Sequence, residues 1–80
     1  MKISVLLFAS YADKLGTSSL SVELDDGSTV GELMGRVRTL PGAERLPDEP
    51  LVAVNQSYAK RDFRLSPGDE VAIIPPVAGG

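Results

Sequence analysis

The chain has 80 residues, eight basic and eleven acidic, and contains no cysteine, histidine or tryptophan. That length fits one domain, and the missing residue types exclude disulfides, a thiolate nucleophile, a cysteine-borne persulfide, a cysteine zinc site and the usual neutral-pH general base. A net charge of −3 lacks the basic footprint of a nucleic-acid binder, and the apolar run at 5–9 is too short for a membrane span or a signal-peptide core, so a cytoplasmic address is expected. In chain order, Ile3, Val5 and Leu7 share one side of a predicted strand, and Ser4, Leu6 and Phe8 share the other. Residues 11–18 are polar, include Gly16 and read as a connection with room for a helical turn. Leu20, Val22 and Leu24 alternate with Ser21 and Glu23 to mark a half-buried second strand, which Asp25-Asp26-Gly27 ends with turn chemistry.

A helix follows. Thr29 with Glu32 three residues later fits a capping box. Val30, Leu33, Met34, Val37 and Leu40 fall on one helical face, and Glu32 and Arg36 are spaced for an ion pair on the other. Gly31 and Gly35 each weaken this helix by roughly 1 kcal/mol relative to alanine, and Pro41-Gly42 closes it. Residues 43–50, with Pro47 and Pro50, read as a loop. Residues 51–54 are a short β-rich run closed by Asn55-Gln56, and a short edge strand is expected within 58–65. Ser66-Pro67-Gly68-Asp69 is a turn, residues 70–74 are the last strand, and Pro75-Pro76 stop it because proline donates no ladder hydrogen bond.

One amphipathic helix across one face of a mixed sheet of four to five strands is an α+β roll. The order hairpin, helix, return strand is the β-grasp (ubiquitin-like) arrangement, with the first and last strands parallel neighbours in the centre. Residues 1–74 are expected to form the β-grasp domain and 75–80 an extended tail. The tail reads Pro75-Pro76-Val77-Ala78-Gly79-Gly80. Two prolines stiffen its root, and small residues keep its tip thin enough to thread a narrow channel. A glycine at the reacting carbonyl leaves no Cβ to block attack. On the sheet face away from the helix, Leu6, Phe8 and Ile74 are expected to form an apolar patch near the root of the tail, joined by Tyr58; such patches mark interaction sites. Asp25-Asp26 reads as a solvated turn. Lys60, Arg61 and Arg64 read as a solvated edge, with contact to an acidic partner as the alternative. No metal site and no cofactor on the chain are expected.

The stretch 68–80, together with Ala53-Val54-Asn55-Gln56 and Leu7-Phe8-Ala9, resembles the MoaD/ThiS family of ubiquitin-like sulfur carriers, most closely its molybdopterin-synthase branch. The likeness spans the chain. It departs in having Tyr11-Ala12-Asp13-Lys14 where the family often has an arginine, and Ile73-Ile74 where it often has aromatics before the prolines. The resemblance implies a cycle at Gly80. A ubiquitin-activating-type adenylyltransferase (MoeB-like) spends ATP to adenylate the carboxylate, and a persulfide donor converts it to a thiocarboxylate. That sulfur then attacks a cyclic pterin held by the large subunit of molybdopterin synthase (MoaE-like), building the dithiolene. Gly79 keeps the approach open, and Pro75, Pro76, Val77 and Ala78 form the threaded segment. The implied assembly is a heterotetramer of two small and two large subunits, with the chain a donor subunit and no enzyme by itself. A ubiquitin-like modifier joined to lysines, a carrier for thiamine, cysteine or tRNA thiolation, and a binding module with an inert tail remain as alternatives.

Overall fold

The computed structural model describes residues 1–8, 10–43 and 50–75. The alternation at the start of the sequence becomes β1 (Lys2–Leu7), with Ile3, Val5 and Leu7 buried. After α1 (Ser10–Leu15), β2 (Ser19–Glu23) returns antiparallel to β1. Then come α2 (Val30–Val37), β3 (Leu51–Val54), β4 (Ser57–Tyr58) and β5 (Glu70–Ile74). The strands form one five-stranded sheet in the order β2-β1-β5-β3-β4. β5 runs parallel to β1 and antiparallel to β3, so the predicted central pair and β-grasp topology are both present.

The start of α2 follows from its residues. The Thr29 hydroxyl accepts from the Glu32 N–H at 3.3 Å, and the Glu32 carboxylate accepts from the Thr29 N–H at 3.4 Å. Val30, Leu33, Met34 and Val37 are buried from α2, and Ile3, Val5, Val71 and Ile73 meet them from the sheet in one core. Burial of these apolar faces is the main term holding helix to sheet, at ~1.5–3 kcal/mol per fully buried large aliphatic side chain.

Four local expectations change. The connection at 11–18 contains a six-residue helix, α1, because Tyr11 turns into the core at 2% exposure. α2 ends at Val37, short of Leu40: Thr39 and Leu40 N–H bond back to the carbonyls of Arg36 and Val37, and the Thr39 hydroxyl donates to the Arg36 carbonyl at 2.6 Å, which tightens the last turn. Leu40 still packs against the core. The Glu32–Arg36 ion pair does not form. Glu32 is held in the capping box, and Arg36 donates to the Glu23 carbonyl at 3.2 Å. The edge strand covers only 57–58. Beyond it the chain serves α2 instead: the N–H groups of Val30 and Gly31, which have no partner within a helix's first turn, donate to the carbonyls of Phe63 and Arg61 at 2.9 Å each. Most of the predicted loop, residues 44–49, lies outside the described residues.

Candidate partner-docking site

The face of the sheet away from α2 is built by register. Leu6 on β1 lies opposite Ala72 on β5, Ala72 opposite Ala53 on β3, and Ala53 opposite Tyr58 on β4. Leu51 lies opposite Ile74. Cross-strand partners share a face, so these six residues lie together, and Phe8 follows Leu6 by the period of two. The two alanines are a low floor, and the larger side chains stand around them. The result is a groove of ≈ 420 Å³ walled by Leu6, Phe8, Tyr58 and Ile74, with Gln56 and Glu70 as polar members. Tyr58 is 75% exposed, Phe8 45% and Leu51 40%, a concentration of bare apolar surface on so small a domain.

The lower end of the groove is tied down. Asn55 donates its side-chain N–H to the Asp69 carboxylate at 2.9 Å, and its side-chain oxygen accepts from the Glu70 N–H at 3.0 Å. The Asn55 backbone N–H donates to the Glu70 carbonyl at 2.8 Å. The second Asp69 oxygen accepts from the Ser66 N–H at 2.8 Å. Thus the β3–β4 turn and the turn before β5 are one hydrogen-bonded unit, and the strands that carry Tyr58 and Ile74 keep a fixed spacing.

Of the site residues expected from sequence, Leu6, Phe8, Tyr58 and Ile74 meet in this groove, and half-buried Pro75 leaves β5 directly beyond Ile74. Pro76, Val77, Ala78, Gly79 and Gly80 lie outside the described residues. Leu51, Gln56 and Glu70 were not anticipated at the site. Alternation of Leu51 with Ala53 was a usable signal for the first; the other two depend on a strand pairing that spacing alone does not reveal. Phe63, 45% exposed, was likewise missed and sits beside the start of α2, away from the groove. Across the sheet, burial pushes the Tyr11 hydroxyl above its ordinary pKa, against a smaller opposite effect from the Arg38 cation. Among the described residues no three acidic, histidine or cysteine side chains are grouped to hold a metal, and no helix is long and apolar enough to cross a membrane. The groove's lining is mostly apolar, with Gln56 and Glu70 as its polar members.

Residues 5–80 match the ThiS family. The chain is similar to the molybdopterin synthase sulfur carrier subunit of Dictyostelium discoideum, 36% identical over 83 residues that take in 99% of this chain and 96% of that relative. It is 38% identical over 81 residues to the subunit of the same name from Escherichia coli (strain K12), covering 98% of this chain and 99% of the relative. Among solved structures it superposes on SAMP1, a small archaeal modifier protein from Haloferax volcanii, with a TM-score of 0.88 and 29% identity over the whole of both chains.

Proposed function

The chain belongs to the ThiS family, and on that premise we propose that it is the sulfur-carrier subunit of a molybdopterin synthase, acting with a larger subunit rather than as a catalyst by itself. The observation that carries this reading is the near end-to-end likeness to sulfur carrier subunits from an amoeba and a bacterium. The chain has no thiol of its own, so the sulfur rides on the acyl group of Gly80. A carboxylate is a poor electrophile, because its charge repels nucleophiles and oxide is a poor leaving group. Adenylation by a ubiquitin-activating-type enzyme replaces that leaving group with AMP. Attack by sulfide then gives a thiocarboxylate directly. Attack by a protein persulfide gives an acyl disulfide, from which a second thiol releases the thiocarboxylate.

The large subunit covers the open-face groove, with Phe8 and Tyr58 as anchors. Pro75 leaves the sheet at that groove, so the segment that follows starts at the interface and carries Gly79 and Gly80 to the pterin held by the partner. Two small and two large subunits make up the proposed assembly. Superposition on SAMP1 favours a second reading, a modifier joined to lysines through the same activated Gly80.

The test is to incubate the protein with a ubiquitin-activating-type adenylyltransferase, ATP and sulfide, and then with the large subunit and the cyclic pterin. The intact mass is expected to rise by the difference between sulfur and oxygen, and the dithiolene product to form. A thiocarboxylate that yields no dithiolene overturns the molybdopterin reading. Lysine adducts of the chain in cell extracts, without the thiocarboxylate, establish the modifier instead.

A further inference from the structure

Both central residues of the β3–β4 turn lie in the left-handed region, Asn55 at φ 50° and Gln56 at φ 74°. Two positive φ values in succession mark the turn that matches the twist of a two-residue hairpin, with asparagine favoured at the first place and glycine at the second. Glycine fills the chain's other described left-handed positions, 16, 27, 42 and 68. A side chain at such a position strains the backbone, and strain of this kind concentrates at functional sites. Asn55 has a structural task in its bonds to Asp69 and Glu70. Gln56 has none of that sort. It is exposed, makes no side-chain hydrogen bond among the described residues, and lies on the wall of the apolar groove.

We propose that Gln56 is a specificity-determining contact for the protein that docks in the groove, its carboxamide pairing with the backbone N–H and C=O of one extended residue of that partner. This rests on the docking of the large subunit proposed above. A carboxamide offers an N–H donor and a carbonyl acceptor side by side, the complement of the C=O and N–H that one residue of an extended strand turns to the same edge. Among apolar walls such a pair is sheltered from water, and a partner that brings no matching group leaves the amide buried and unpaired. Shape alone lets the apolar members accept many surfaces; Gln56 adds a requirement for position.

The test measures affinity for the large subunit by titration calorimetry, and thermal unfolding of the free protein, for the parent and for Gln56→Gly, Gln56→Asn and Phe8→Asp. The glycine variant is expected to unfold at a higher temperature, because the strain is gone, yet to bind at least about tenfold more weakly through loss of the sheltered hydrogen-bond pair. The asparagine variant keeps an amide in a backbone region it tolerates and is expected to regain part of the affinity. Undiminished binding by Gln56→Gly, with Phe8→Asp impaired, overturns the role of Gln56 and leaves the docking surface standing. Undiminished binding by all three variants overturns the docking surface itself. Weaker binding together with a lower unfolding temperature in Gln56→Gly makes the residue structural and overturns the inference.

Discussion

The two halves of the open sheet face share a geometry and a buried underside but differ in chemistry. Where β1 meets β2, facing pairs are Lys2 with Glu23, Ser4 with Ser21, and Leu6 with Ser19. Across β5 and β3 they are Leu6 with Ala72, Ala72 with Ala53, and Ile74 with Leu51, with Ser4 and Glu70 a polar pair at the far end of β5. An antiparallel sheet with one solvated face is expected to carry polar residues there, and the first half does. The second half keeps apolar groups in water at the end of the molecule where Pro75 leaves β5. Backbone geometry cannot be the cause, because the same strand, β1, carries both Ser4 and Leu6 on this face. The difference is what singles out the second half as the surface proposed to be covered.

The most damaging way to test that contrast is to make the apolar half resemble the polar one. Phe8→Asp is expected to weaken affinity for the large subunit by at least about 2 kcal/mol, some 30-fold, as for a central aromatic anchor. Because Phe8 is 45% exposed, urea unfolding is expected to stay close to the parent. A smaller effect is expected beneath the sheet. The Tyr11 hydroxyl has no hydrogen-bond partner among the described residues, so Tyr11→Phe is expected to add about 1 kcal/mol of stability without altering docking. Its pH signature has a definite sign. Folding raises the Tyr11 pKa, so the unfolded chain loses that proton first, near pH ~10, while the folded chain keeps it. Stability is therefore intact below that pH and declines as pH rises toward the folded value. Tyr11→Phe should flatten this alkaline limb in urea titrations at stepped pH. The smallest effect belongs to Ser21→Asp in the polar half, expected to change stability by no more than about 0.5 kcal/mol and to leave affinity for the large subunit at the parent value. A loss there comparable to that of Phe8→Asp would erase the distinction between the halves.

Much of this was legible because it is periodic. The alternation of Ile3, Val5 and Leu7, and of Val71 and Ile73, assigned the buried face, and by default it put Leu6, Phe8 and Ile74 outside. Thr29 and Glu32 marked the start of α2 because a capping box is local in sequence. What escaped is what depends on distant partners. Glu32 and Arg36 have the spacing of an ion pair, yet the cap and the Glu23 carbonyl compete for them successfully. The strand sought within 58–65 is brief because the carbonyls of Arg61 and Phe63 are drawn to the helix start. Tyr11 sits among polar neighbours, so only the third dimension shows that it is core. The bond from Asn55 to Asp69 joins residues 14 apart through a β3–β5 register that no local pattern encodes, and the left-handed backbone at Gln56 is masked by a residue type that gives no hint of it.

The placement of β5 between β1 and β3 has a mechanical consequence. Tension applied to the segment after Pro75 pulls β5 along its own axis, with hydrogen-bonded ladders gripping it on both flanks. Those bonds lie across the direction of pull, so they resist as a group in shear and cannot be peeled open one by one. A load that reaches β5 from its C-terminal end is therefore borne by both ladders at once, and the sheet keeps its shape.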